Sequence, residues 1–252
     1  MCGRFVITSA PEALRQVFSY NEQPNFPARY NIAPTQPVPV VIVENGSRHF
    51  RLMRWGLLPS WVKDPRKFTL LINARAETVQ EKPAFKNAIR RRRCLIPADG
   101  YYEWQNRGER KQPYFIHPSA GGPMGFAGLA ETWMGPNGEE LETAAIVTTR
   151  ANRSLGAIHD RMPAIVPPDA FNLWLDCANV DVETAMTLVA PAPDPMLEAY
   201  EVSAAVNRTA NDNPKLVERW SPSSEPAPEQ KPTPQKQPAR RTKKDNGQGV
   251  LF

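Results

Sequence analysis

Short apolar runs rich in β-branched and aromatic residues recur through the first 220 positions, separated by proline, glycine and asparagine. Runs of this kind predict strands at Val38–Val43, Phe50–Trp55, Tyr114–His117, Phe126–Thr132 and Ala144–Thr149. A helical spacing of apolar positions fits Pro11–Phe18, Pro83–Arg92, Pro168–Asp176 and Val182–Val189. A proline at an early helical position suits such starts, because the first turn needs no N–H there. Strands grouped centrally with few helices between them predict an α+β fold. We expect a single domain over residues 1–220, built on a curved, barrel-like, mostly antiparallel sheet with flanking helices. After Trp220 the pattern stops. The stretch SPSSEPAPEQKPTPQKQPARRTKKDNGQG holds six prolines and almost nothing to bury. Such a segment cannot offset its ordering entropy, so residues 221–252 are expected to form a disordered, basic tail.

Composition narrows the class. A hydrophobic share of 41% in 252 residues suffices for a real core. The formal charge of +5 is unevenly placed, with +3 in the tail and +2 in residues 1–220. Any nucleic-acid site on the folded part must therefore be a local patch. Cys2, Cys94 and Cys177 are widely spaced and form no CxxC pair, which argues against a disulfide framework or a zinc site. No metal and no cofactor are expected. The start lacks the apolar run of a signal peptide, and no stretch is long enough to span a membrane. A cytoplasmic, nucleoid-associated monomer is the expectation.

Four segments are richer in polar and aromatic groups than a core requires. The first is MCGRF. If Met1 is removed, Cys2 carries a free α-amine beside its thiol, with an amine pKa of about 7.7–8.0. Two nucleophiles so placed can attack one aldehyde carbon in turn, giving an imine and then a five-membered thiazolidine. Arg4 could pair with a phosphate or lower the thiol pKa. The second segment is WGLLPSW (Trp55–Trp61) followed by INARAET (Ile72–Thr78). The Asn73 amide could serve a developing oxyanion or position an amine, and Arg75 shares its face on an extended backbone. The plainer reading is that Asn73 shapes a turn and Arg75 pairs with Glu77.

The third segment is RRRRCLIPADGYYEW (Arg90–Trp104). Its arginines read most simply as a solvated helix end. Glu103, between aromatics, would be desolvated into a general acid–base range, or else is an exposed strand carboxylate. The fourth segment is TTRANRSLGAIHDRMPAIV (Thr148–Val166). It carries His159, the side chain suited to proton transfer at neutral pH, although a lone loop histidine can equally be structural. His49 and His117 lie in strand-like runs and read as structural.

On MCGRF, WGLLPSW, NARAET, GYYEW and HDRMP, in that order, the chain resembles the SOS-response-associated peptidase family, known by its SRAP domain. The resemblance covers Met1 to about Trp220. It implies action on abasic sites in single-stranded DNA, with Cys2 forming a stable thiazolidine DNA–protein crosslink that shields the lesion. By the same resemblance Asn73 holds the amine and sugar oxygen, Glu103 moves protons during imine formation, and His159 assists ring opening. Arg4, Trp61, Arg75 and Arg161 are the expected DNA contacts. The family label implies a hydrolase that removes its own Met1, although methionine aminopeptidase also accepts a residue as small as cysteine, and the imine chemistry allows a lyase side activity. Single strands present the lesion without extrusion and leave bases free to stack.

The tail ends in Gln248-Gly249-Val250-Leu251-Phe252, similar to the QxxLF peptides that bind bacterial sliding clamps, with Gly249 departing from the leucine often second. An apolar cluster ending a polar tail serves no core, which favours a partner. Two other readings stand beside the crosslinking one. A cysteine-dependent peptidase could combine Cys2 with His159 and Asn73 or Glu103. A non-enzymatic nucleic-acid-binding module would use the arginines and tryptophans alone.

Overall fold

The strands that line the site are mostly short, and long neighbouring strands hold them in register. A computed structural model of the chain describes residues 2–221, and those up to Trp220 gather into one compact unit. In chain order the early elements are β1 (Phe5–Ile7), α1 (Pro11–Phe18), β2 (Arg29–Ile32), β3 (Pro37–Glu44), β4 (Ser47–Trp55) and β5 (Asn73–Arg75). There follow α2 (Lys86–Arg91), β6 (Arg93–Ala98), β7 (Gly100–Arg107), β8 (Arg110–Pro118), β9 (Met124–Met134) and β10 (Glu140–Arg150). The chain closes with β11 (Arg161–Pro163), β12 (Ile165–Val166), α3 (Phe171–Leu175), α4 (Val182–Met186) and β13 (Leu197–Glu201).

Five strands close on themselves. β10 pairs in parallel with β4, and β4–β3, β3–β6, β6–β9 and β9–β10 are antiparallel, so the sheet returns to its own start as a barrel. The longest ladder, β3 on β4, runs from Pro37 opposite Arg54 to Glu44 opposite Ser47. Asn45 and Gly46 make its turn with φ of 49° and 78°, the left-handed pair that matches strand twist. Val38, Val40, Trp55, Phe126 and Ile146 share one face of this sheet, and all are buried. Gly128 is required by this packing, since a Cβ there would meet the Cys94 sulfur at 2.8 Å.

A second, antiparallel sheet has the order β13-β8-β7-β1-β2. It sets β1, and so the start of the chain, directly beside β7. The fold is thus α+β, with a closed barrel, an antiparallel sheet and few helices, as the sequence pattern predicts. All five predicted strands fall within observed ones. Helix α1 has the predicted bounds, burying Leu14 and Phe18 one turn apart and ending on Ser19 in the left-handed conformation. The other three helices are shorter than predicted. Residues Pro168–Ala170 form a 3-10 turn ahead of α3, and α2 and α4 stop at Arg91 and Met186.

The arginine run needs a correction. Arg90, Arg91 and Arg92 are exposed, but Arg93 is buried, its guanidinium donating to the carbonyls of Ile89, Trp174, Asp176 and Val180. It ties the loop after α3 to the barrel instead of solvating a helix end. The three cysteines are free thiols. Among the described residues no helix is long and apolar enough to cross a membrane. The tail and its Gln248, Leu251 and Phe252 lie outside the described residues.

Candidate active site

Cys2 lies three residues ahead of β1 and is fully buried. The candidate residues around it come from two strands and a loop. Asn73, the first residue of β5, is set by parallel pairing with Ile146 of β10. Its Nδ2 donates to the Cys2 carbonyl at 2.9 Å, fixing the backbone at Cys2. Its Oδ1 is buried and, among the described residues, has no hydrogen-bond partner. Asn73 is thus a clamp with one acceptor still open, not a turn-shaping residue.

Glu103 comes from β7. The pairing of Phe5 with Tyr101, and the Tyr102 N–H donating to the Arg4 carbonyl at 3.0 Å, carry the register toward the chain start. Glu103 is buried, not the exposed carboxylate of the plainer reading. Burial pushes its pKa up to about 7, against the pull of the positively charged amino terminus. A carboxyl in that range can both take and give a proton at neutral pH.

His159 lies in the loop that joins β10 to β11, and antiparallel pairing of Arg150 with Arg161 closes the base of this loop. The loop is also tied to β7, where Gln105 Nε2 donates to the Ala157 carbonyl at 2.9 Å. The Arg161 backbone N–H donates to His159 Nδ1 at 3.0 Å, so the neutral ring carries its proton on Nε2. The Asp160 carboxylate, 3.0 Å from the same Nδ1, favours the charged ring. Asp160 is 86% exposed and therefore well screened, and burial wins: the His159 pKa lies below its ordinary value. The resting ring is a neutral Nε2–H donor at physiological pH.

The Cys2 thiol is pushed well above its ordinary pKa, first by burial and then by the charge of Glu103. The expected lowering by Arg4 does not occur. The Arg4 guanidinium instead donates to Asn31 Oδ1 and the Val206 carbonyl, both at 2.8 Å, and lies 6.0 Å from the Trp104 ring centroid. Arg161 is similarly engaged. Its guanidinium meets Glu77 Oε1 and the Thr148 carbonyl, both at 2.6 Å, and the side chain is 9% exposed. Glu77 therefore pairs with Arg161, not with Arg75. Arg75 is exposed and, among the described residues, in no ion pair. Trp61 is 56% exposed, its ring edge-on to Phe68 at 5.6 Å.

Sequence reasoning missed Tyr101. It is fully buried, two residues before Glu103 on the same face of β7, and the charges of Cys2 and Glu103 both oppose its ionisation. The signal was the alternation within GYYEW, which separates Tyr101 and Glu103 from Tyr102 and Trp104.

The family model described as SOS response associated peptidase (SRAP) matches residues 1–209. The chain belongs to that family. Among its SRAP relatives is the abasic site processing protein YoqW of Bacillus subtilis, 37% identical over 86% of this chain and 99% of the relative. A vertebrate relative, the abasic site processing protein HMCES of Gallus gallus, is 34% identical over 86% of this chain and 77% of its own length. A crystal structure from Bacteroides thetaiotaomicron superposes with a TM-score of 0.78 at 27% identity, covering 87% of this chain and 100% of that one. A phage-related protein from Bordetella bronchiseptica gives 0.66 at 32% identity, covering 80% and 94%.

Proposed function

We propose that this SRAP protein processes abasic sites in single-stranded DNA by capturing the ring-opened sugar on Cys2, once Met1 has been removed, as a thiazolidine crosslink. The observation that carries the reading is the Asn73–Cys2 hydrogen bond beside a buried Glu103 whose carboxyl titrates at about 7. That arrangement holds a nucleophilic residue still next to a group able to move protons in both directions. The names of the relatives support the substrate class.

The steps follow from the residues. Glu103 takes the anomeric hydroxyl proton and returns one to the ring oxygen, which the neutral His159 holds through its Nε2–H, and the C1′–O ring bond breaks to free the aldehyde. The Cys2 amine attacks C1′ to give a carbinolamine, oriented by the open Asn73 Oδ1 accepting an amine proton. Protonated Glu103 gives its proton to the departing hydroxyl, one water leaves and the imine forms. The thiol then adds. Its proton passes to the ionised Glu103, the sulfur bonds C1′, and the C=N electron pair returns to nitrogen, which keeps the proton it carried in the protonated imine. Exposed Arg75 and Trp61 supply a phosphate contact and a stacking face.

Ring closure has a purpose. An imine at this sugar invites β-elimination of the 3′ phosphate, and capture by sulfur closes that route. Cys2→Ser keeps the amine but not the sulfur. With a single-stranded oligonucleotide bearing one abasic site, the variant is expected to cleave the strand and leave no durable adduct. The wild type should yield an adduct that mass spectrometry maps to Cys2. A serine variant that crosslinks as stably as wild type would sink the mechanism. The thiol-peptidase alternative fits less well, because such an enzyme needs a depressed thiol pKa and this one is raised.

A further inference from the structure

The Tyr101 hydroxyl has no role in the packing. The ring fills its space, edge-on to Phe126 at a centroid distance of 6.0 Å and across the strand pair from Phe5. A phenylalanine would fill the same space. The hydroxyl is wholly buried and, among the described residues, has no hydrogen-bond partner. Buried hydroxyls are nearly always bonded, so an orphan one beside reactive groups calls for a function. Strand alternation sets Tyr101 on the face of β7 that bears Glu103. It packs in the same buried cluster as Cys2, while Tyr102 joins Val6 and Phe115 on the opposite face.

Ring closure lacks a side-chain donor to sulfur among the groups described above. Arg4 is turned away, and the thiol is buried beside a carboxyl, so negative charge forming on sulfur meets no cationic side chain among the groups described above. The tyrosine, also held far above its ordinary pKa by burial, stays a neutral O–H donor throughout. We propose that the Tyr101 hydroxyl donates a hydrogen bond to the Cys2 sulfur as that sulfur takes on charge, and so speeds thiazolidine closure without affecting imine formation. This rests on the crosslinking reading. The tyrosine keeps its proton: the thiol proton leaves to Glu103, sulfur forms the bond to C1′, and the nitrogen of the protonated imine receives the displaced pair and keeps the proton it already holds.

Tyr101→Phe, in protein lacking Met1, separates this role from a structural one. Iodoacetamide labelling of Cys2 across pH, without DNA and with the labelled peptide identified by mass, reads thiolate stabilisation directly. The midpoint is expected to rise by about one pH unit when the donor is lost. With a single-stranded abasic oligonucleotide, borohydride trapping counts the imine and survival without borohydride counts the closed ring. Imine formation should stay within about twofold of wild type, while closure slows by about tenfold or more. The melting temperature should not fall, because no resting hydrogen bond is removed. An unmoved labelling midpoint, equal slowing of both steps, or a lower melting temperature would each overturn the proposal. Absence of any wild-type adduct would instead remove the abasic-site reading, and the labelling arm would still decide whether Tyr101 serves the sulfur.

Discussion

Charging Glu103 costs free energy in the folded protein. Its pKa of about 7 stands above the ordinary 4.5, so the folded chain holds that proton more tightly than the unfolded one. By linkage the associated stability is complete below pH 4.5 and is lost as pH rises through 7. Glu103→Gln keeps the shape and can never charge. At pH 8 it should therefore be more stable than wild type by roughly 2–3 kcal/mol, an advantage that shrinks to nothing near pH 4. Thermal melts between pH 4 and 8 read this, and a difference independent of pH would contradict it. The same variant should form the imine about a hundredfold more slowly, because proton transfer is gone. Higher stability with lower activity in one substitution is what a carboxyl kept uncomfortable for chemistry predicts. Individual residues were unevenly legible here. Cys2 announces itself by position and His159 by its rarity. Tyr101 was hidden because Tyr101, Tyr102 and Trp104 look alike in a string and differ only in which side of β7 they occupy.

At the scale of elements, legibility followed length. Long alternating runs gave β3, β4, β9 and β10, because each carries its own hydrophobic face. The three-residue strands β1, β5 and β11 carry no period of their own and exist because long neighbours pair with them. These short strands hold or flank Cys2, Asn73 and His159, so convergence of the site could not be read from the chain. Pairing also reassigns the arginines. Arg161 on β11 locks Glu77 to Thr148 of β10, whereas Arg75 on β5 faces solvent. Arg161→Ala should strip a buried carbonyl and a carboxylate of their donor and cost about 2–3 kcal/mol, roughly 4–10 °C in a chain of this size. Arg75→Ala should leave the melt unchanged and weaken single-strand binding, lowering the slope of log K against log salt by about 0.7 for one lost phosphate. Melts and salt titrations of the two variants, side by side, would reveal any exchange of these roles.

At the scale of the whole molecule, the matched family span and the packed structure end in different places. The family model stops at residue 209, yet the chain goes on building core beyond it. Leu216 is buried with Val6, Tyr102, Phe115, Val202 and Val206, and the Tyr200 hydroxyl donates to the Val217 carbonyl at 2.7 Å. Asn31 donates to the Asn211 carbonyl at 2.8 Å, and the Trp220 N–H donates to the Glu201 carbonyl at 2.8 Å. This cap packs against the side of β1 and β7 that faces away from the chemistry, so it fixes from behind the strands that carry Cys2 and Glu103. A chain ending at residue 209 would expose that face and lose Leu216, whose burial alone is worth about 2–5 kcal/mol. We expect it to melt far below the full chain or fail to fold, while a chain of residues 1–221 melts with the full-length protein and crosslinks at the same rate. Leu216→Ala in the full chain isolates the packing contribution: a lower melting temperature with an unchanged crosslinking rate well below it. Equal melts for the chains ending at 209 and 221 would mean the cap rests on β1 without supporting it, and the position of Cys2 would then depend on Asn73 and the barrel alone.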